Sequence, residues 1–506
     1  MTQGSEILTV AQMTAADQAA IAAGEPGSAL MERAGGAVAR AIEARWTARP
    51  TVVLCGPGNN GGDGYVTARK LAEAGWPVRT ASLAPRGALK GDAAWAASRW
   101  DGADAPLGAD AADGAGLVVD ALFGAGLSKP LDEAAWASLD RAGQSGVPIV
   151  AVDLPSGLPG DRAEPLGHAP QCALTVTFHR KKPAHVLEPG RSLCGEVVVA
   201  DIGLAPPTDV ALFENGPDLW AHAFPWPAFN AHKHSRGWLV VVSGPMSRTG
   251  AARLAARAGL RIGAGLVTVM SPPDALLVNA VQLEAVMLAP FANDGELADA
   301  AAKASAAVIG PAAGVGLATH ANLLALAGTG AALVVDADAL TTFKDEPERL
   351  FAALDARDVL TPHPGEFERV FPGLLKASPE RITAARTAAT RAGAVVLLKG
   401  PDTVIAAPDG RAEVNTNGVA WLATAGSGDS LAGFIGGLLA QGMPTFEAAC
   451  AGAWIHGEAG AASGPGLISE DLPGLIPAIL KRLWEARETP PPSSSHFSHH
   501  PEKSKV

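Results

Sequence analysis

The sequence predicts an α/β protein built as two successive domains, and three observations carry that prediction. Short β-branched or apolar runs bounded by Gly, Pro, Asn or Asp alternate with longer Ala-rich periodic runs. This βαβ rhythm belongs to parallel sheets covered on both faces. The chain is 506 residues long with 48% hydrophobic and 18% charged residues, so it exceeds one ordinary domain and can bury more than one core. Near its middle, 205–230 (APPTDVALFENGPDLWAHAFPWPAFN) is rich in Pro and aromatics and lacks periodicity, which marks a boundary.

In the first half the strand candidates are 51–55, 78–82, 117–121, 148–152 and 173–178, with helical patterns at 28–45, 64–74 and 132–143. This reads as a Rossmann-like three-layer αβα domain over 1–210, followed by a linker over 211–228. The second α/β domain spans 229–488. It opens with 238–242 and a helix at 250–263, and continues through strands near 266–270, 306–310, 332–336, 357–360, 394–398 and 403–407. A Gly-opened helix follows at 427–440. The tail 489–506 (TPPPSSSHFSHHPEKSKV) has the composition of a disordered segment.

Composition also excludes. A net charge of -12 argues against a general nucleic-acid binder, which needs clustered Lys and Arg. It leaves room for an anionic ligand held by backbone N–H groups. Cys55, Cys172, Cys194 and Cys450 have no metal or disulfide spacing and fit small buried side chains in a reducing cytosol. The N-terminus lacks the pattern of a signal peptide, and no run is long and apolar enough to span a membrane. The expectation is a cytoplasmic homo-oligomer with no nucleic-acid or membrane partner.

The first chemical site is CGPGNNGGDGYVTARKLAEAG, which follows a strand and opens a helix. Gly56, Gly58 and Gly61 match GxGxxG, but no acid ends the next strand to hold a ribose, and there is no GK[ST]. Ordinary dehydrogenase and P-loop readings therefore fall away. Glycine density of this kind lets a backbone adopt positive φ and bring N–H groups close to an anion; the alternative is a tight turn without a ligand. Asp120 and Asp153 end two later strands, each ahead of a Gly-containing loop. Either alone would be a cap, but loops at the carboxyl ends of parallel strands converge on one crevice.

NNGGDGYV, VVDALFGAGL and AVDLPSGL, in that order, resemble the NAD(P)H-hydrate epimerase family over roughly 10–205. The resemblance implies that Asn59, Asn60, Gly61, Gly62 and Asp63 hold substrate phosphates. The loop Gly124, Ala125, Gly126, Leu127, Ser128, Lys129 and Pro130 would do so too. It makes Asn60, Asp120 and Ser156 ligands of a potassium ion, a suitable task for hard oxygen donors. Asp153 matches the family's acid/base aspartate, and Lys129 is the candidate catalytic partner.

The second site is GSGDSLAGF at 426–434, where N–H groups at a helix start would form an anion hole beside Asp429. An acid there can accept a hydroxyl proton during phosphoryl transfer, or merely stabilise the first turn. LLKGPDTVIAAPDG reads as two strands framing an adenine nucleotide, and His363 lies between two prolines at a strand end, structural or ligand-contacting. With VVDADAL and the glycine-rich 231–268 region, these motifs resemble the ADP-dependent NAD(P)H-hydrate dehydratases of the ribokinase-like fold, over about 230–485. Carried over by motif, Ala251, Gly314, His363 and Asp429 contact the hydrated nucleotide. Lys399, Gly400, Pro401, Asp402, Thr403 and Gly428 bind the adenine nucleotide, with Asp429 as base. One departure is Gly310-Pro311-Ala312-Ala313-Gly314 where the family has GPGLG.

The implied activity is repair of NADHX and NADPHX: epimerisation of the R and S hydrates, then ADP-dependent dehydration of the S form, releasing AMP and phosphate. Potassium and magnesium ions would assist. The rivals are a ribokinase-like small-molecule kinase with an accessory domain, and a non-catalytic nucleotide-binding regulator.

Overall fold

The computed structural model of the protein describes residues 4–488; the tail 489–506 lies outside the described residues. The first half forms a seven-stranded, all-parallel sheet of β1 (Thr51–Cys55), β2 (Val78–Ser82), β3 (Asp104–Pro106), β4 (Leu117–Ala121), β5 (Ile149–Val152), β6 (Leu174–Phe178) and β7 (Glu196–Ala200). Their order is β3-β2-β1-β4-β5-β6-β7. Every residue of β1 and β4 is buried, the condition under which a strand reads as a continuous apolar run. The helices Gly27–Glu43 and Asn59–Glu73 cover one face through Val38, Ile42, Tyr65 and Leu71. Glu133–Gln144 covers the other through Ala135 and Leu139. Each large side chain so buried contributes roughly 1.5–3 kcal/mol. The four cysteines are free and buried.

The second sheet has ten strands: β8 (Leu212–Glu214), β9 (Trp238–Val242), β10 (Leu266–Ser271), β11 (Met287–Pro290), β12 (Ala306–Ile309), β13 (Ala332–Val335), β14 (Val359–Leu360), β15 (Val395–Leu398), β16 (Thr403–Ala406) and β17 (Ala412–Asn415). They run β11-β10-β9-β12-β13-β14-β15-β16-β17-β8, with β16 antiparallel to both neighbours. In both sheets the order reverses once, between β1 and β4 and between β9 and β12. Loops at the carboxyl ends part there and leave a crevice. No described helix is long and apolar enough to cross a membrane.

The stretch that resembles a linker in sequence is not one in structure. Leu212–Glu214 pairs in parallel with β17 and completes the second sheet. Trp220 is 1% exposed in the second core, and its indole N–H donates to Asn215 at 3.0 Å. A three-residue edge strand and a single anchoring tryptophan carry no periodicity, so a pattern search passes over them. The N-terminal residues stitch the halves together: Ile7 N–H donates to the Leu212 carbonyl and Leu8 N–H to that of Lys181, both at 2.9 Å.

Candidate active sites

The first crevice, about 540 Å³, lies where β1, β4 and β5 end. Asn59 and Asn60 do not precede the helix; they form its first turn, with Gly58 as N-cap. Helix geometry leaves those first N–H groups without an intrahelical acceptor, so they are free to meet an anion. Asn60 and Asp153 converge across Gly124, whose ideal Cβ would sit 3.0 Å from both Asn60 Oδ1 and Asp153 Oδ2. Gly124, Ala125, Gly126 and Leu127 line the crevice; Ser128, Lys129 and Pro130 are exposed and do not.

Asp153 has φ 67, the left-handed region that costs a non-glycine residue about 1 kcal/mol or more. That turn aims its carboxylate back over β6. Oδ1 accepts from Lys182 Nζ at 2.7 Å and Thr177 Oγ1 at 2.9 Å, and Oδ2 accepts from Ala125 N–H at 3.0 Å. Burial alone would raise this carboxyl, but the Lys182 ammonium outweighs it and holds it at about 2. His185 Nε2 lies 2.9 Å from the Asp153 carbonyl, and burial followed by Lys182's charge keeps its imidazole neutral, down at about 4. Asp63 lies in the same crevice, where burial and then the Asp153 and Asp17 charges push its carboxyl well up.

Two expectations are corrected here. The cation beside Asp153 is Lys182, not Lys129: Lys129 follows the tight 124–127 turn and points outward, whereas Lys182 is 2% exposed. Nothing in the spacing of 175–182 (TVTFHRKK) singles Lys182 out, since Arg180, Lys181 and Lys182 are consecutive and only the bend after β6 selects among them. The glycine run also has another cause. None of Gly56, Gly58, Gly61, Gly62 and Gly64 has positive φ. A Cβ at Gly56 would lie 1.8 Å from the Leu122 carbonyl oxygen, and one at Gly61 would lie 1.9 Å from that of Gly56. The glycines let the helix start lie flat on the β4 loop.

Asp120 is fully buried and has no cationic partner among the described residues. Burial raises it to about 6 against the hydrogen bonds that lower it: Ser156 donates to Oδ2 from N–H at 2.8 Å and to Oδ1 from Oγ at 2.6 Å. The Phe123 carbonyl lies 3.2 Å from Ser156 Oγ. Asn60 Nδ2 is buried without a partner nearby. One uncompensated carboxylate beside a hydroxyl and a carbonyl oxygen supplies donors of the kind that fit a large monovalent cation.

The second crevice lies at the ends of β9, β12, β13 and β15. Gly426, with φ 85, is the N-cap of Ser427–Ala440 and does use its freedom, turning the chain so that Asp429 falls in the first turn. Lys399 Nζ pairs with Asp336 Oδ1 at 2.7 Å and with Glu366 Oε2 at 3.8 Å. A Cβ on Gly428 would sit 3.4 Å from that ammonium, so Gly428, Lys399 and Asp336 meet. Burial opposes the charge on Lys399, but Asp336 and Glu366 outweigh it and keep the amine protonated. Asp429 is raised to about 6, by burial first and then by Asp336, with Lys399 pulling the other way. Asp336 and Glu366 were not singled out in sequence, although VVDADAL and HPGE contain them.

The remaining expected contacts divide. Gly314 N–H donates to Asp338 Oδ2 at 2.9 Å, and Ala251 is the second residue of Gly250–Arg261, whose Leu254 would meet a Cβ on Gly426 at 2.7 Å. His363 caps the helix Pro364–Val370: Nδ1 accepts from Gly365 N–H at 2.9 Å, while the ring stays half exposed. Gly400 and Thr403 close a turn on each other, N–H to Oγ1 at 3.1 Å, with Pro401 exposed. The Asp402 side chain is committed elsewhere. It is 1% exposed, accepts the Glu188 N–H of the first half at 3.0 Å, and sits 3.3 Å from Arg381 Nε.

Ala312 has φ 53, which explains why a glycine suits this position. Ala312→Gly is expected to relieve about 1–2 kcal/mol of left-handed strain against roughly 0.4–1 kcal/mol of added unfolded-state entropy. Thermal denaturation should therefore show an unchanged or slightly higher midpoint. A clear fall would mean that the methyl packs productively.

Fold and sites together define a two-domain, nucleotide-handling α/β enzyme. Residues 27–184 match the family described as YjeF-related protein N-terminus, and residues 239–467 match NAD(P)H-hydrate dehydratase. The bifunctional NAD(P)H-hydrate repair enzyme of Moorella thermoacetica is 36% identical over 530 residues, covering 96% of this chain and 98% of that one. That of Gloeobacter violaceus is 38% identical, covering 90% and 92%. The solved ADP/ATP-dependent NAD(P)H-hydrate dehydratase of Bacillus subtilis, crystallised with ATP and Mg2+, is 26% identical with a TM-score of 0.47, covering 53% of this chain and 97% of that one. The chain belongs to the bifunctional NAD(P)H-hydrate repair enzymes.

Proposed function

We propose that this chain restores hydrated nicotinamide nucleotides, NADHX and NADPHX, in two steps. One observation carries the reading: two strand-end sites in one chain, each with an aspartate in reach of a lysine, Asp153 ion-paired to Lys182 after β5 and Asp429 beside Lys399 in the first turn of a helix.

In the first crevice, ionised Asp153 accepts the C6 hydroxyl proton as the C6–N1 bond opens to an aldehyde, and passes it to N1. Reclosure on the other carbonyl face reverses these transfers and gives the other epimer. Lys182 keeps Asp153 ionised, while N–H groups of the Asn59–Gly61 turn and the 124–127 loop bind the phosphates. Asn60, Asp120 and Ser156 would hold a potassium ion, whose charge would offset buried Asp120 and brace both loops.

In the second crevice, the β-phosphoryl group of ADP moves to the C6 oxygen of the S hydrate while Asp429 takes the hydroxyl proton, and AMP leaves. The C6–O bond then breaks, inorganic phosphate departs and a C5 proton is lost, restoring the ring. Phosphate leaves far more readily than hydroxide, which is why a dehydration consumes a nucleotide. Lys399 and the Gly428 N–H face the adenine nucleotide's phosphates. Asp336, Glu366 and Asp429 surround the single Lys399 ammonium, with Asp338 acting on Asp429, an excess of negative charge that suits a divalent cation such as magnesium. No group of three acidic, His or Cys side chains among the described residues could hold a metal unaided. Phosphates and water would therefore supply most of the ligands.

The test is absorbance recovery at the reduced-nicotinamide band from separate R and S hydrates with ADP. Recovery from both, with one AMP and one phosphate per turnover, is expected. No recovery from the S hydrate would sink the reading.

A further inference from the structure

A second, larger groove of about 1250 Å³ runs beside the helix Gly250–Arg261 and takes no part in the chemistry above. Arg253, Arg257 and Arg261 line it from one stripe of that helix, spaced i, i+4 and i+8. Among the described residues none of the three guanidinium groups has an ion-pair or hydrogen-bond partner. Arg236 stands at the far end, its Nε buried and without an acceptor. Trp226 and Trp484 form an aromatic wall, edge to face at 5.2 Å, with Arg487 over the Trp484 ring. Lys481 adds a fifth cation to the lining, against two exposed carboxylates, Glu284 and Glu470.

Arginines in a row without protein partners beside tryptophans, two of them exposed, on a chain of net charge -12, are a local reversal of charge that suits an anionic occupant. Guanidinium forks match phosphate oxygens, and aromatic walls take a purine. The groove begins at Gly250 and Leu254, and Leu254 packs on Gly426, the N-cap of the helix that carries Asp429. From there the arginine stripe extends for about 12 Å.

We propose that this groove binds the adenosine-pyrophosphate end of the dinucleotide, its phosphates on the arginine stripe and its purine against the tryptophan wall, while the hydrated ring lies at Asp429. The proposal rests on the repair reading above. It assigns to the helix Gly250–Arg261 two tasks, a ring contact at its start and a phosphate track along its side.

The test is the double variant R257Q/R261Q, with R257K/R261K as the conservative control. The Gln pair should raise KM for S-NADPHX about tenfold or more, as expected for lost charged hydrogen bonds. It should leave kcat, KM for ADP and the melting temperature unchanged, and the Lys pair should recover part of the loss. An unchanged KM for the hydrate overturns the proposal. So does a KM change that tracks a change in oligomeric mass, which would assign the groove to a second copy of the chain. Should the wild type fail to turn over the hydrate at all, the repair reading falls and the groove is judged separately. Calorimetric titration with ADP-ribose in saturating ADP should then show a binding component that the Gln pair lacks, and identical isotherms would overturn it.

Discussion

Asp429→Asn is expected to abolish repair of both epimers, with kcat for the S hydrate falling about a thousandfold or more. Removing a positioned general base costs roughly 10²–10⁴-fold. The substitution keeps the size of the side chain, so the first turn of Ser427–Ala440 and the Gly428 N–H stay in place, and KM for ADP should change little. Both epimers fail because the S hydrate is the only exit from the cycle. The pH profile gives a second readout. Burial and the Asp336 charge raise Asp429 to about 6, so its base form is lost as pH falls through that value. Dehydration by the wild type should therefore decline about tenfold per pH unit below about 6 and stay flat from 7 to 8. A variant retaining more than about 1% of activity with the same profile would show that another group takes the proton.

The legible part of this molecule is the part with a period. The runs 51–55, 78–82, 117–121 and 238–242 are strands with those limits, because buried parallel strands must be uniformly apolar. The helix at 427–440 also begins where its glycines announce it. The short strands β3 and β8 at the sheet edges, and the four-residue β17 beside β8, were not legible, since three or four residues are too few to show a pattern. In the sites, Asp120 and Asp153 could be read because each stands at a strand end, and Asn60 because it lies in a glycine turn, whereas Ser156 came only from the family resemblance. Lys182 could not: it reaches Asp153 only through the left-handed turn at Asp153 and the bend after β6. Asp402 shows the opposite failure, a residue in the right loop whose carboxylate turns inward to tie the two halves together.

Asp153→Asn is expected to remove epimerisation alone: the R hydrate should be restored only at its uncatalysed rate, while repair of the S hydrate with ADP stays at the wild-type rate. Asparagine suits this test because it tolerates the left-handed backbone at φ 67 and preserves the side chain's volume. Loss of S repair in this variant alone would contradict the division of labour between the crevices. Lys182→Met should remove epimerisation too, and at a larger structural cost. Lys182 is 3% exposed at its side chain, and removing one partner of a buried pair leaves the other charge uncompensated, costing about 3–5 kcal/mol. The acid limb gives the sign. Because Asp153 is held at about 2 in the fold, below its ordinary value near 4, its contribution is present above about pH 4 and fades as pH falls toward 2. In Lys182→Met burial acts unopposed, so the Asp153 carboxyl rises and that acid-side contribution disappears. Denaturant midpoints for the wild type and both variants, taken from pH 7 to 3, would measure this. A Lys182→Met protein as stable as the wild type at pH 7 would mean that the ion pair contributes nothing to the fold.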